Sequence, residues 1–370
     1  MEFAWTTDQL RLRREAEEFA ADAVSRHGCH PDSWLTGFSK PFADEMAARG
    51  WIGLSWPAEH GGGGRPAIDR MIVAEALIRA GAPLGAFWFA DRQIGPSLIA
   101  FGTAEQQGRY LPAILSGAHT WCIGMSEPDA GSDLASLRTR AVPDGDGWII
   151  RGQKIWTSFA AVADYCYLIC RTDSSGPPHT GISELIVPMA SPGVEVRPIR
   201  DMAGSAHFCE VFFHDVRVPR ENVVGLEGAA FKQTMRQLEH ERGGIDRLVS
   251  NHALYRLALQ HADTGDPLVR QAIARLESAY RIGRLLVYRE ALGQAPRGFS
   301  AATKCFCTEH EARVADFAGR VLGPDAALAG GVAHGLIYSP AYTIMGGSSN
   351  ILRNILAERT LGLPKEAPAG

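Results

Sequence analysis

The 370-residue chain has no excess of either charge: Lys and Arg number 37 against 41 Asp and Glu, giving a net charge of −4, and the two signs are interspersed. Such a surface builds no field for nucleic acid or for an anionic membrane, so neither partner is expected. The chain also lacks any run approaching the roughly 20 apolar residues that span a bilayer. Its start, MEFAWTTDQL, lacks the basic residues and apolar stretch of a secretory signal, so a cytoplasmic protein without a membrane span is expected. Paired cysteine spacings are missing too. The seven cysteines are scattered, Cys166 and Cys170 fall in a strand-like run, and Cys305 and Cys307 stand in KCFC, which is neither a redox nor a zinc spacing. Buried thiols are expected, with no disulfide and no metal site.

What is present is a large apolar fraction, 46%, enough for an extensive core spread over two or three domains or layers. Residues 1–120 read as helical. Thr6 and Gln9 form a capping box ahead of Leu10, Ala16, Phe19, Ala20 and Ala23, and further helices fit KPFADEMAARG, AIDRMIVAEALIRAG and AEQQGRYLPAILSG, each closed by glycine. Residues 121–228 change to short β-branched and aromatic runs separated by Gly, Pro, Asp and Ser, which predicts a β domain of barrel or sandwich type. Helical periodicity returns over 229–370, with a last helix from about Ser349 and a frayed tail. The expected class is α+β, arranged as α, then β, then α.

The Gly-rich EHGGGGRPA holds a formal G-x-G-x-x-A from Gly62 to Ala67. No strand precedes it and Pro66 interrupts it, so a flexible interhelical loop is expected rather than a dinucleotide site. WCIGMSEPDAGSDLASLRTRA is a strand running into a loop dense in hydroxyls and amides, able to surround a polar ring or a phosphate. GQKIWTSFA sets a flat indole, Trp156, beside Thr157 and Ser158. Alone, each of these also fits a capped turn or a core tryptophan.

MSEPDAGSDLASLRTRA and IIRGQKIWTS closely resemble the two β-domain motifs of the acyl-CoA dehydrogenases, and LPAILSG, FFHDVRVPRENVVG, FKQTMRQLEHER and GGSSNILRNILAERTLG extend the match in order over nearly the whole chain. The resemblance implies an N-terminal helical domain, a middle β domain and a C-terminal four-helix bundle, with FAD between the last two. It implies that Met125 and Ser126 meet the flavin's pyrimidine edge and that Ser132 lies near the cofactor phosphates or the thioester's nucleotide part. Trp156 would flank the isoalloxazine, Ser158 would bond near its N5, and Ser348 and Asn350 would contact FAD from the C-terminal domain.

In many members of that family the base that removes the α proton is a Glu before the glycine of the last loop, and here that position is Gly346. Other members carry it on the first long helix after the β domain, where this chain reads RQLEHERGG. Phe231, Met235, Leu238, Ile245 and Leu248 define an apolar stripe on such a helix, and Glu241 falls on it, where burial would raise its pKa toward a general-base range. Glu239, two residues away, points about 160° round the helix. The Glu241-Arg242 pair matches the family's alternative-base motif, and Gly243 and Gly244 in mid-helix suggest close approach of a ligand or backbone. In the family a backbone N–H at the Gly346 position helps polarise the thioester carbonyl, and a glycine keeps that N–H, so the resemblance implies that the contact survives. The side chain missing at Gly346 also leaves volume for a branched or bulky acyl group.

The function so implied is α,β-dehydrogenation of an acyl thioester, on CoA or on an acyl-carrier protein, with an electron-transferring flavoprotein as acceptor and a dimeric or tetrameric assembly. The family's usual Arg-x-x-Phe and Gly-Gly-x-Gly segments, which reach a neighbouring subunit's FAD, are not evident in QHADTGDPLVRQ and GVAHGLIYSPAYTIMGG, leaving homo- and hetero-oligomers both open. A same-fold flavin monooxygenase or oxidase and a non-catalytic subunit of a heteromeric dehydrogenase are the alternatives.

Overall fold

The computed structural model describes residues 5–30, 32–235, 244–296, 298–328 and 330–365. It divides into two compact units: Met1–Ser33 with Pro66–Ala82 and Leu238–Gly370, and Trp34–Arg65 with Pro83–Gln237.

The second unit is built on one eight-stranded sheet. Its strands are β1 (Trp121–Gly124), β2 (Arg140–Asp144), β3 (Gly147–Ser158), β4 (Tyr165–Arg171), β5 (Ile182–Pro188), β6 (Val194–Ile199), β7 (Phe208–Pro219) and β8 (Val223–Val224). They pair in the order β6-β7-β3-β2-β4-β5-β8, with β1 added in parallel beside β4. The long strands β3 and β7 run antiparallel, and the register shifts between Lys154 and Thr157. Burial alternates along β7, whereas β4 and β5 are buried along almost their whole length, which is why YCYLICR and ISELIVP read as unbroken apolar runs. Trp148, Ile150, Cys166, Leu168, Leu185, Val187, Val211 and Phe213 form the core.

EHGGGGRPA is a hydrogen-bonded turn rather than a flexible loop. Gly63 N–H donates to Gly53 O at 3.0 Å and Gly64 N–H to Trp56 O at 2.9 Å, and a Cβ at Gly62 would lie 2.3 Å from Trp56 O. The loop is glycine-rich because the chain packs against its own backbone there.

In the first unit the helix Thr7–His27 begins at the expected Thr6/Gln9 capping box. Its buried face is Leu12, Ala16, Phe19, Ala20 and Ala23; Leu10, expected on that face, is 41% exposed. It packs against Ala67–Ala80, which ends at Gly81 in the left-handed region. Phe299–Leu322 is the central helix, in contact with His252–His261, Pro267–Ala291, Gly331–Tyr342 and Ser349–Ile355. Its polar residues Thr303, Lys304, Thr308, His310 and Glu311 are as buried as Val314 and Ala318, as befits a helix surrounded by others.

The long helix expected after the β domain is interrupted where the described residues allow it to be followed. Residues 230–235 are helical, Gly244 is irregular rather than mid-helix, and Asp246–Val249 and His252–His261 are separate helices. At the break, Asn251 N–H donates to the buried Glu311 carboxylate at 2.6 Å. Six of the seven cysteines are buried and all are unpaired; Cys29 is exposed. No described helix is long and apolar enough to cross a membrane.

Candidate functional site

Two segments that are 27 residues apart in sequence come together after β1. Ile155 N–H in β3 donates to Ser126 O at 2.9 Å, and the Lys154 ammonium donates to Met125 O at 2.9 Å. Lys154 is wholly buried and also donates to Glu127 Oε1 at 2.7 Å. That carboxylate in turn accepts the N–H groups of Arg138, at 2.6 Å, and Thr139, at 2.9 Å. Burial alone would raise the Glu127 carboxyl, but the Lys154 charge and the donated hydrogen bonds outweigh it and hold the group below its ordinary value. Burial is likewise the main influence lowering Lys154, partly offset by Glu127. One buried ion pair therefore fastens both ends of the loop 125–139 to β3.

The register shift in β3 has a visible result. Trp156 sits at φ +60, in the left-handed region that costs a non-glycine residue about 1 kcal/mol or more. Trp156 is 54% exposed, with an edge contact to Phe208 at 5.8 Å. Thr157 is buried while Ser158 is half-buried, so the indole and the Ser158 hydroxyl turn away from the core together. Met125 and Ser126 are half-buried beside them, and Ser132 is exposed in the same loop. An exposed aromatic face, hydroxyls and loop backbone suit a flat heteroaromatic ring with a polar edge.

In the other unit, the glycine loop is held at both ends. The buried Lys304 ammonium donates to Tyr342 O at 3.0 Å, where a cation also complements the end of Gly331–Tyr342, and Ser349 N–H closes the loop onto Thr343 O at 2.8 Å. The Ser348 hydroxyl caps Ser349–Ile355 by accepting Ile351 N–H at 3.3 Å, which leaves its own O–H free to donate; Asn350 is exposed. Gly346 and Gly347 both lie at positive φ, +67 and +89.

The space expected to open at Gly346 is taken. A Cβ there would stand 2.5 Å from Arg247 Nη2, and Arg247 is 3% exposed with Asp246 Oδ2 3.8 Å from its Nε. A guanidinium thus occupies the place where a carboxylate side chain would begin. Glu241, Arg242 and Gly243 lie outside the described residues. The approach to them is anchored at Glu184 of β5, fully buried, which accepts hydrogen bonds from Tyr167, Gln233 and Thr234. Sequence reasoning missed Glu127, Lys154 and Arg247. Lys154 alone left a trace, a charge at an inward position of a strand.

The acyl-CoA dehydrogenase family models match residues 6–118 with the N-terminal domain, 122–216 with the middle domain and 228–361 with the C-terminal domain. The chain belongs to the acyl-CoA dehydrogenase family. It is an oxidoreductase with that family's three-domain architecture, helical, β and helical, and the family's members are FAD flavoproteins. The acyl-CoA dehydrogenase IpdE1 of Mycobacterium tuberculosis is 40% identical over 337 residues, 87% of each chain, and FadE26 of the same organism is 34% identical over 402 residues, 99% of each. Among solved structures, the Tcur3481-Tcur3483 steroid ACAD superposes with a TM-score of 0.90 at 32% identity, covering 99% of this chain and 100% of that one. The ChsE4-ChsE5 complex from M. tuberculosis gives 0.86 at 32% identity, with the same coverage.

Proposed function

We propose that this acyl-CoA dehydrogenase desaturates a bulky, steroid-derived acyl thioester between its α and β carbons, with Glu241 as the base. The observation that carries the choice of base is the pairing of Gly346 with Arg247. The loop position that holds the carboxylate in many family members has no side chain here, and its left-handed φ and the Arg247 guanidinium beside it both disfavour one, so the proton must be taken from elsewhere. Glu241, in the family's alternative motif, is the residue left to take it. The steroid class rests on similar proteins, one of which is described as a steroid ACAD.

FAD, when bound, supplies the acceptor for the hydride that leaves the β carbon. Met125, Ser126, Trp156 and Ser158 would hold its ring from the middle domain, with Ser132 toward its phosphates and Ser348 and Asn350 contributing from the C-terminal domain. The Gly346 N–H would donate to the thioester carbonyl and stabilise the negative charge that develops as the α proton leaves. The Glu241 carboxylate would receive that proton, and Arg242 would bind the substrate. An electron-transferring flavoprotein would re-oxidise the enzyme. The location is proposed to be cytoplasmic.

The test is an anaerobic titration of wild-type and Glu241→Gln protein with steroid-derived, branched, long and short acyl-CoAs, following the visible band of oxidised flavin. Bleaching of wild type by one class, with a mutant that binds flavin but stays oxidised, is the expected result. A mutant that bleaches at the wild-type rate removes Glu241 from the mechanism.

A second reading is favoured by the two-chain composition of the ChsE4-ChsE5 complex: this chain as one half of a heteromeric dehydrogenase. Turnover by the chain alone as a homo-oligomer would eliminate a non-catalytic role.

A further inference from the structure

Four helices of the first unit enclose a cleft of about 290 Å³, and none of its lining residues is assigned above to flavin or thioester. Thr7–His27 contributes Arg13 and Glu17, Ala67–Ala80 contributes Glu75 and Arg79, His252–His261 contributes His252 and Arg256, and Pro267–Ala291 contributes Arg284. Four guanidiniums thus face two carboxylates. Arg13 pairs with Glu17 at 2.8 Å, while Glu75 is shared between Arg79, at 3.4 Å, and Arg284. Arg256 has no hydrogen-bond or ion-pair partner among the described residues. Among the lining residues the guanidiniums exceed the carboxylates by two, and Glu277, outside the lining, also acts on Arg284.

His252 adds a second, independent observation. It is 8% exposed, and its Nδ1 is buried with no hydrogen-bond partner among the described residues. Its pKa is lowered to about 3, first by burial and then by repulsion from Arg79, Arg256 and Arg284, so it stays neutral and adds no charge of its own. A neutral imidazole can offer an N–H to an anion without requiring a proton from solvent. An imidazole with an orphaned ring nitrogen, in a cleft where guanidiniums outnumber carboxylates, is an arrangement that an anion would complete.

We propose that this cleft binds a small phosphate-bearing anion, held by Arg79, Arg256 and Arg284 with His252 as hydrogen-bond partner. The excess of guanidinium over carboxylate in the lining suits an anion. Arginine is the side chain whose planar fork fits phosphate oxygens in pairs, and it outnumbers lysine in this cleft four to none. Bound there, the anion would tie together helices from both ends of the chain.

Equilibrium dialysis with radiolabelled inorganic phosphate, at constant ionic strength in chloride, tests this. Saturable binding of one phosphate per chain is expected. Arg256 is exposed and makes no fold-stabilising pair, so Arg256→Gln should fold normally and bind at least about tenfold more weakly, the loss of one charge-assisted contact. Glycerol 3-phosphate as competitor separates the two sources of the same chemistry: tighter competition than by phosphate itself identifies an ester, and equal or weaker competition identifies the free anion. Phosphate binding that does not saturate, or that Arg256→Gln leaves unchanged, overturns the proposal.

Discussion

Replacing Lys154 by methionine keeps the length of the side chain and removes its charge, which isolates the buried pair that fastens the loop 125–139. The ammonium has no exposure, donates to Glu127 and to Met125 O, and faces a carboxylate that is itself buried. In the variant Glu127 keeps the two N–H donors of Arg138 and Thr139 but loses its counter-charge, and Met125 O loses a partner. Breaking one side of such a pair costs about 3–5 kcal/mol, of which one charge-assisted hydrogen bond accounts for about 1.5–3. In an enzyme of this size the loss falls on local opening before global unfolding, so hydrogen exchange is the right assay. Amides of residues 125–139 should exchange about two to three and a half orders of magnitude faster, while those of β5 and β7 stay protected. Flavin retention through desalting should fall in parallel, because Met125 and Ser126, proposed above to meet the flavin, are positioned by the same bonds. Adding Glu127→Gln should recover much of the loss, giving a coupling energy of about 1–3 kcal/mol. Coupling below about 0.5 kcal/mol, or a loop that stays protected in Lys154→Met, would refute the reasoning.

Gly346→Glu should not restore a loop base. At φ +67 any side chain costs about 1–2 kcal/mol, and this one would meet Arg247 and pair with it, so Gly346→Glu/Glu241→Gln should remain inactive in acyl-CoA titrations; measurable turnover by the double variant would show the Arg247 geometry to be misread. The helical unit should be acid-sensitive through His310, buried and lowered to about 4 by burial and by Arg313. A depressed histidine contributes stability that is present above its unfolded pKa near 6.5 and lost as pH falls toward 4. At pH 5 the loss is about 2 kcal/mol relative to pH 8. His310→Asn should flatten that slope in urea unfolding, and an unchanged slope would exclude His310 as its source. Glu311 runs the other way: burial raises it well above the ordinary carboxylate value, so its contribution is complete below about pH 4.5 and lost as pH rises. Glu311→Gln should therefore be more stable than wild type at neutral pH, and a less stable variant would show that the carboxylate's bond to Asn251 outweighs the cost of its charge.

Local chemistry made much of the fold legible in the sequence. The Thr6/Gln9 box starts its helix, Gly81 ends another in the left-handed region, and the β-branched runs between Trp121 and Val224 are the strands of one sheet. Each depends on residues a few positions apart, whose preferences survive in almost any surroundings. The lack of a carboxylate at Gly346 was legible in the same way, since it needs only the residue's identity. What filled the space was not. Arg247 lies 99 positions away along the chain, and no periodicity announces that its guanidinium will stand where a glutamate would begin. The exchange of Leu10 for Leu12 on a helix face, the break at Gly244 in a run expected to be continuous, and the Glu127-Lys154 pair that turns two motifs into one surface belong to the same class. Tertiary packing decided them, because burial of a charge or of a whole helix face is fixed by partners distant in sequence, and the energies of those contacts exceed the one-residue propensities that a sequence displays.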